Sequence, residues 1–274
     1  MLLDGNKIKE KMMSELKPKI ADLNLSLAVI QIGDDVASGV YIKKKQKMCE
    51  ALNIEFKHEK FAEDADEKEV IKLIEKLNND GTTGILLQLP LPQKFNAFFL
   101  QNKIALNKDV DGLTVSNVGN LVCQKAGLKP CTAKGVIELL KSYNIELSGK
   151  HAVVIGRSSL VGKPVASLLL NEDVTVTICH SKTPNLKELT SKADILVAAA
   201  GVPHLLKANM VKKGATIIDV GINKVDGKLC GDVVFEEVSK VATHISPVPG
   251  GVGPMTIAML AQNIYEAHLL QIKI

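Results

Sequence analysis

Residues 151–179 read HAVVIGRSSLVGKPVASLLLNEDVTVTIC. The stretch opens with an apolar run that predicts a buried strand, passes through a turn with two glycines into a predicted helix, and ends in a second apolar run. Gly156 permits the tight turn and Gly162 permits close approach at the helix start, while Pro164 suits the first helical turn, where no N–H is needed. Strand, helix and strand in this order predict a parallel βαβ unit whose helix N-terminus offers free N–H groups to a phosphate.

The turn that follows, HSKT at 180–183, indicates which dinucleotide the unit would bind. A site that prefers NAD usually places an acidic residue near this point for the ribose 2′-hydroxyl. Here the second strand ends in two hydroxyls and a lysine, and Arg157 stands in the first turn. These groups would accept a 2′-phosphate, so NADP is favoured over NAD. A loop of solvated polar residues is the alternative, since the glycine spacing is not the GxGxxG pattern.

The alternation of strands and helices extends over the rest of the chain. Two more apolar runs that end in glycine predict further strands beside the βαβ unit, and the N-terminal half alternates predicted strands with predicted helices. The predicted strands span 25–32, 54–61, 84–89, 193–201 and 215–221, and the helices there span 4–22, a segment ending near 52, and 67–77. This order predicts an α/β protein with parallel sheets in two domains. Both patterns lapse over 113–130, where the domain break is predicted, and a loop rich in proline and glycine precedes a last helix.

One N-terminal helix carries a lysine on its apolar face. On a helical wheel, Lys45 falls among apolar residues with Tyr41 one turn earlier, whereas the neighbouring lysines 43, 44 and 47 fall outside that face. Burial disfavours an ammonium and lowers its pKa toward the range in which lysine exchanges protons at neutral pH. Lys45 is therefore a candidate catalytic residue. The alternative is an apolar stem that carries a charged head into water.

Two polar residues follow the third predicted strand. Gln88 stands at its end, near where a ligand sits in an open α/β sheet, although a capping amide would have the same position. Asp111 belongs to NKDVDG, and an Asp-Gly pair is first of all a turn signal.

The composition excludes several classes of protein. The chain has 274 residues, a formal net charge of +4 and 46% hydrophobic residues, which is ordinary for a folded protein of two domains. Nucleic acid and membranes are poor candidates as partners, because basic residues are interspersed with acidic ones. No apolar run reaches the length of a membrane helix and no signal-peptide pattern is present, so a cytoplasmic location is expected.

The five cysteines and six histidines are dispersed along the chain. None of their spacings suits a zinc site or an HExxH helix, so no protein metal site is predicted. The cysteines are predicted to be buried free thiols.

Eight motifs, in order along essentially the whole chain, resemble the bifunctional methylenetetrahydrofolate dehydrogenase/cyclohydrolase family. They are GDDVASGVYIKKKQKMC at 33–49, GILLQLPLP at 84–92, KDVDGL at 108–113, PCTAKG at 130–135, VVIGRSSLVGKP at 153–164, CHSKT at 179–183, IDVGIN at 218–223 and PVPGGVGPMT at 247–256. The resemblance implies oxidation of 5,10-methylenetetrahydrofolate to the methenyl form with NADP, then hydrolysis to 10-formyltetrahydrofolate in the same cleft. A place in one-carbon metabolism and purine biosynthesis is implied with it.

The resemblance also implies roles for individual residues. Lys45 matches the catalytic lysine, Tyr41 the tyrosine that lies against the folate ring, and Gln88 the glutamine that contacts the lysine. Asp111 matches the carboxylate that anchors the pterin. The expected dinucleotide site consists of Gly156, Arg157, Ser158, Gly162, Ser181 and Ile222, and the loop that closes over the substrate consists of Pro249, Gly250 and Gly251.

The expected architecture has an N-terminal catalytic domain over 1–120, completed by a C-terminal helix over 254–274. A Rossmann-type NADP-binding domain over 121–253 is inserted, with the substrate cleft between the domains, and the resemblance implies a homodimer. Three positions depart from the family's pattern. Val36 and Ala133 stand where proline is common, which predicts two less rigid loops, and Val234 stands where aspartate is common, which predicts altered loop packing.

The residues alone leave two alternatives open. Another two-domain NADP-dependent dehydrogenase, of shikimate or amino-acid type, would keep the glycine turn without needing Tyr41, Lys45 and Gln88 together. A nucleotide sensor without turnover would need neither the inward lysine nor Asp111.

Overall fold

Strands and helices alternate to form two parallel sheets, as the sequence predicts. The computed structural model describes residues 1–272, with the exception of the side chain of Ala37. Met1–Lys11 and Thr132–Thr256 form one compact unit, the five-stranded unit, and Met12–Cys131 with the chain from Ile257 onward form the other, the three-stranded unit.

The three-stranded unit is built on parallel strands in the order β2-β1-β3. Its strands are β1 (Ser26–Ile32), β2 (Glu55–Phe61) and β3 (Gly84–Leu87), and the helices of this part of the chain are α1 (Gly5–Ile20), α2 (Val36–Ala51), α3 (Glu67–Asn79), α4 (Ala97–Gln101) and α5 (Val115–Val122). Every residue of β1 and β3 is buried. A parallel sheet covered on both faces needs such continuous apolar strands, which is why the sequence shows apolar runs there.

The five-stranded unit has parallel strands in the order β10-β7-β6-β4-β5. The elements of this part of the chain are α6 (Cys131–Ser142), β4 (His151–Ile155), α7 (Gly162–Leu170), β5 (Thr175–Cys179), α8 (Leu186–Thr190), β6 (Ile195–Ala198), β7 (Thr216–Asp219), the hairpin strands β8 (Asn223–Val225) and β9 (Lys228–Cys230), α9 (Phe235–Val238) and β10 (His244–Ile245). The last helix, α10 (Val252–Gln271), begins in this unit and from Ile257 onward belongs to the three-stranded unit. Because β5 and β6 lie on opposite sides of β4, the strand order reverses there. In such sheets a ligand binds outside the carboxyl ends of the strands at the point of reversal.

Several sequence predictions are wrong in detail. Helix α5 occupies the stretch over 113–130 in which no element is predicted. Val36 and Ala133 lie within helices α2 and α6, so the two less rigid loops predicted at these positions are helical. Of the segment predicted over 254–274, the residues Lys273 and Ile274 lie outside the described part of the chain.

The cysteine prediction holds for only part of the set. All five thiols are free, but Cys123 is exposed and Cys230 is half-buried, because both lie on loops or edges and not in a core.

Candidate active site

Helix α2 places Lys45 inside the three-stranded unit. Asp35 caps the helix, its Oδ2 accepting the backbone N–H of Ser38 at 2.7 Å, and the Ser38 hydroxyl donates to the carbonyl of Leu89 at 3.4 Å. These bonds fix the start of the helix against the segment that follows β3. Lys45 is only 9% exposed, whereas the neighbouring lysines 43, 44 and 47 are exposed, so the prediction of one inward lysine is confirmed.

The ammonium of Lys45 contacts Gln88. Lys45 Nζ donates to Gln88 Oε1 at 2.7 Å, and Gln88 Nε2 donates in turn to the carbonyl of Leu89 at 2.7 Å. Both ends of the amide are therefore engaged, which keeps its oxygen facing the lysine. Burial lowers the pKa of Lys45, and the electrostatic influence of Asp111, followed by that of Cys131, offsets this in part. A lysine in this environment is suited to giving and taking a proton at neutral pH.

The loop that carries Asp111 is built around a second buried carboxylate, Asp109. Asp109 is fully buried and accepts three hydrogen bonds of 2.8–3.1 Å. Its donors are the side-chain amides of Gln101 and Asn117 and the backbone N–H of Thr114. Gly112 follows with φ +69°, and a Cβ there would lie 2.5 Å from the carbonyl carbon of Lys129, so only glycine fits. The turn predicted at Asp-Gly is confirmed.

Asp111 lies within electrostatic reach of Lys45. Burial raises the pKa of the Asp111 carboxyl, the charge of Lys45 lowers it, Asp109 raises it further, and a hydrogen bond from Cys131 lowers it. The thiol of Cys131 also lies 3.2 Å from the carbonyl oxygen of Val110. Burial therefore lowers the pKa of the lysine and raises that of the carboxyl, and each shift favours the neutral form of its group.

Asn263 of α10 contacts the backbone on which Asp111 is carried, and the sequence did not predict this residue. Its Nδ2 donates to the carbonyl oxygens of Val110 and Lys129 at 2.9 Å each and lies 3.4 Å from Cys131 Sγ. Asn263 is fully buried in a helix that is otherwise apolar at its buried positions. A lone amide in such a helix is the signal that could have identified it.

Tyr41 lies one helical turn before Lys45 and is half-buried. Burial raises the pKa of its hydroxyl, so the phenol stays protonated at neutral pH. The ammonium of Lys44 lies 5.4 Å from the centre of its ring. A ring held in this way offers a flat surface for stacking. We call Tyr41, Lys45, Gln88 and Asp111 the lysine group.

The glycine turn of the five-stranded unit, residues 156–162, follows β4 at the point where the strand order reverses. Gly156 has φ +127°, and a Cβ there would lie 2.1 Å from the carbonyl oxygen of Ala199, while a Cβ on Gly162 would lie 2.2 Å from that of Gly156. The Ser158 hydroxyl accepts the N–H groups of Val161 and Gly162 at 3.1 and 3.4 Å and so orders the turn. Arg157 is exposed beside it.

The other predicted cofactor residues lie at the same edge of the sheet. The turn after β5 is closed by bonds from the His180 N–H to Thr183 Oγ1 at 2.9 Å and from the Lys182 N–H to His180 Nδ1 at 3.1 Å, which leaves Ser181 and Lys182 exposed. Ile222 follows β7 and is 51% exposed. The closely packed glycine backbone would let a dinucleotide approach the turn. The exposed arginine, lysine and hydroxyl groups around it suit a 2′-phosphate.

The predicted substrate loop lies in the five-stranded unit. Gly250 has φ +111°, its carbonyl accepts the N–H of Gly5 at 2.8 Å, and the N–H of Gly251 donates to the carbonyl of Pro247 at 2.8 Å. Pro249, between these bonds, is exposed after a cis peptide. The structure thus brings Lys45 and Gln88 into contact and places Tyr41 and Asp111 in the same unit, whereas Pro249, Gly250 and Gly251 belong to the unit that carries the glycine turn.

Residues 1–272 contain neither a cluster of metal ligands nor a membrane-spanning helix. No group of three or more histidine, cysteine, aspartate or glutamate side chains is placed there to hold a metal ion. No helix in that range is both long and apolar enough to cross a membrane.

Two family models match the chain. The model described as tetrahydrofolate dehydrogenase/cyclohydrolase, catalytic domain, matches residues 3–111, and the model described as tetrahydrofolate dehydrogenase/cyclohydrolase, NAD(P)-binding domain, matches residues 130–272. The lysine group lies in the first range, and the glycine turn lies in the second.

Individual relatives are similar over nearly their full length. The bifunctional protein FolD of Halalkalibacterium halodurans is 48% identical over 273 residues, which are 97% of this chain and 98% of that protein. The crystal structure of the bifunctional enzyme FolD from Campylobacter jejuni is 46% identical, with a TM-score of 0.96 and coverage of 98% of this chain and 99% of that one. The Trypanosoma brucei methylenetetrahydrofolate dehydrogenase-cyclohydrolase, solved with NADP cofactor and an inhibitor, is 34% identical, with a TM-score of 0.95 over 100% of this chain and 99% of that one.

Proposed function

The chain belongs to the tetrahydrofolate dehydrogenase/cyclohydrolase family, and we propose that it catalyses two successive reactions on one folate substrate. The first oxidises 5,10-methylenetetrahydrofolate to 5,10-methenyltetrahydrofolate with NADP. The second hydrolyses the methenyl compound to 10-formyltetrahydrofolate. The observation that carries this proposal is a buried lysine, Lys45, held by Gln88 in the part of the chain that matches the catalytic domain.

The dehydrogenase step needs the cofactor and the folate carbon held in a fixed relation. NADP, when bound, supplies the hydride acceptor. The residues that would hold it are Gly156, Arg157, Ser158, Gly162, Ser181 and Ile222. Arg157 and the hydroxyl of Ser181 would pair with the 2′-phosphate, because they are exposed at the ends of neighbouring strands. Positioning of this kind is the protein's main contribution to hydride transfer.

The cyclohydrolase step is proton chemistry, for which Lys45 is suited. A water oxygen bonds to the methenyl carbon and loses one proton, which gives a neutral hydroxyl adduct. One ring nitrogen then takes up a proton as its bond to that carbon breaks, and the hydroxyl loses its remaining proton to become the formyl carbonyl, so that one proton is released overall. Lys45 Nζ would accept the proton that the water loses and donate a proton to the nitrogen, since burial lowers its pKa and so eases the release of its proton. Gln88 fixes where Nζ stands during both transfers.

The folate itself would be held by the rest of the lysine group. The carboxyl of Asp111, anchored by the loop around Asp109, would accept hydrogen bonds from the pterin N–H groups. Tyr41 would stack on the ring system. Pro249, Gly250 and Gly251 would close over the substrate. Another dehydrogenase or a nucleotide sensor has no use for Lys45, Gln88 and Asp111 in this arrangement, so neither alternative is favoured.

A homodimer, a cytoplasmic location and a part in purine biosynthesis stay predictions. For the homodimer there is one supporting feature. Strand β5 is an edge strand of the five-stranded sheet, and Ile178 on it is 42% exposed. An open edge with an apolar side chain favours pairing with a second chain. The domain limits of 1–120 and 121–253, with the returning helix, also stay a proposal.

The proposed function is tested with purified protein and a matched pair of variants. Wild type, Lys45→Met and Lys47→Met are assayed for oxidation of 5,10-methylenetetrahydrofolate with NADP or NAD, and for hydrolysis of the methenyl substrate alone. We expect turnover with NADP, and a loss of hydrolysis of about 10²–10⁴-fold in Lys45→Met, the range for removing a general acid and base. The exposed Lys47 should tolerate the same change. Equal hydrolysis by the two variants would contradict the role of Lys45.

A further inference from the structure

Two buried carboxylates at the carboxyl edge of the five-stranded sheet have no part in the chemistry above. Asp219 is the last residue of β7, and Asp232 lies two residues beyond β9. Their exposed fractions are 4% and 0%. No lysine or arginine forms an ion pair with either one among the described residues, so both depend on N–H donors.

Asp232 connects two loops that follow neighbouring strands. Its Oδ2 accepts the backbone N–H groups of Ala200 and Gly201, just after β6, at 2.7 and 2.9 Å. Its Oδ1 accepts Asn223 Nδ2, at the end of the loop that joins β7 to β8, at 2.9 Å. One carboxylate therefore fixes the spacing between the ends of β6 and β7.

Asp219 holds Asp232 in that position. Asp219 Oδ1 accepts the backbone N–H groups of Gly221 and Asp232, and its Oδ2 accepts that of Val233, all at 3.0 Å. Ser246 fixes the backbone of Asp219, because its Oγ accepts the N–H at 2.8 Å. The two carboxylates thus form a connected hydrogen-bond network in which each oxygen has a partner.

Both loops tied to Asp232 border the predicted dinucleotide site. Gly156 packs so closely on the loop after β6 that a Cβ would lie 2.1 Å from the carbonyl oxygen of Ala199. Ile222 lies between Gly221, bonded to Asp219, and Asn223, bonded to Asp232. The network therefore fixes the backbone next to Gly156, which follows β4, and on both sides of Ile222, which follows β7. These two predicted cofactor residues lie on opposite sides of β6.

We propose that Asp232, held in place by Asp219, is a positioning residue for the dinucleotide site, fixing the loops after β6 and β7 against which NADP binds. The inference rests on the proposed use of NADP. Stability is a poor reason for two adjacent buried carboxylates, because desolvation and mutual repulsion both oppose them. Their geometry explains them better. A carboxylate can accept hydrogen bonds from two segments of the chain at once, whereas an apolar side chain can accept none.

The test compares variants at Asp232 by calorimetric titration with NADP, a readout independent of turnover. Asp232→Ala removes all three accepted bonds, and we expect the dissociation constant of NADP to rise by at least about 10-fold. Asp232→Asn keeps an oxygen for Ala200 and Gly201, and Asn223 can turn its amide to match, so a rise within about 3-fold is expected. Glu237→Ala, which removes an exposed carboxylate nearby, is the control and should bind as wild type does.

Hydrolysis of the methenyl substrate, which needs no NADP, separates positioning from damage to the fold. We expect kcat/KM for hydrolysis to stay within about 2-fold of wild type in all three variants, and KM for NADP to rise in Asp232→Ala. If Asp232→Ala does not fold, Asn223→Ala, at a half-buried site, replaces it and should weaken NADP binding while hydrolysis is kept. If the folded test variant binds NADP as tightly as wild type, the inference is wrong and the proposed function is unaffected. The same holds if the variant loses hydrolysis to the same extent as NADP binding. Wild-type protein that binds NADP without turning over folate would refute the proposed function and leave the binding comparison intact.

Discussion

Replacing Asn263 by alanine should weaken both the three-stranded unit and the folate site proposed within it. The change removes one amide that donates to the carbonyls of Val110 and Lys129 at 2.9 Å each, 153 and 134 residues away in sequence. Cys131 Sγ still lies 3.2 Å from the Val110 carbonyl, so that oxygen keeps a partner, whereas the bond to Lys129 is lost without replacement.

The magnitude follows from these contacts. Two lost hydrogen bonds contribute about 0.5–1.5 kcal/mol each, and the unpaired carbonyl adds about 1–3 kcal/mol. Alanine regains roughly 0.5 kcal/mol of helix propensity relative to asparagine. The free energy of unfolding should therefore fall by about 1.5–5.5 kcal/mol, which corresponds to a thermal midpoint lower by about 3–20 °C.

The assay is thermal unfolding together with hydrolysis of the methenyl substrate. Val110 and Cys131 flank Asp111, so we expect KM for the folate to rise while the dissociation constant of NADP stays unchanged. Gln262→Ala is the control, because Gln262 is half-buried on the same helix and bonds only locally, to Glu266 at 3.2 Å. Should Asn263→Ala unfold at the same temperature as Gln262→Ala with an unchanged KM, the reasoning from buried carbonyls is refuted.

Two further predictions concern the five-stranded unit. Burial, with the nearby charge of Asp232, raises the pKa of Asp219 to about 6 from 3.8, so the folded state favours the protonated form. The associated stability is fully present below about pH 3.8 and is lost as pH rises through about 6, up to about 3 kcal/mol. Urea unfolding of wild type and Asp219→Asn at pH 5 and 7.5 should show a smaller pH effect in the variant, and equal effects would contradict the shift. Gly156→Ala forces a Cβ to 2.1 Å from the carbonyl oxygen of Ala199 at a φ of +127°. This variant should bind NADP at least about 10-fold more weakly in a fluorescence titration and should still hydrolyse the methenyl substrate. Loss of hydrolysis together with NADP binding would contradict this local effect.

The strands and the inward lysine could be predicted because burial leaves a local pattern. Strands β1 and β3 are covered on both faces, so their sequences are apolar without interruption. Lys45 interrupts the apolar face of a helix with a period of 3.6 residues, and the structure confirms both its burial and the exposure of its neighbours.

Helix α5 could not be predicted from its own sequence. It reads VSNVGNLV, in which valine, asparagine and glycine all have low helix propensity. Its stability comes from tertiary contacts, because Thr114 caps it and the buried side chain of Asn117 donates to Asp109 at 2.9 Å and to the carbonyl of Leu106 at 3.0 Å. Asn263 and Asp232 escaped prediction for the same reason, since their partners lie on distant parts of the chain and leave no local pattern.

The identity of the residue that contacts Lys45 explains how a buried lysine can serve proton chemistry. A carboxylate at the position of Gln88 would hold Nζ equally well, but its negative charge would raise the pKa of the lysine and keep it protonated. An amide oxygen orients Nζ without adding charge, so burial remains the largest influence on the pKa of Lys45, and the influence of Asp111 and Cys131 opposes it only in part. Because burial also raises the pKa of Asp111, even that opposition is reduced. Burying these two ionisable groups opposes stability, which is expected where position and protonation state are needed for a reaction.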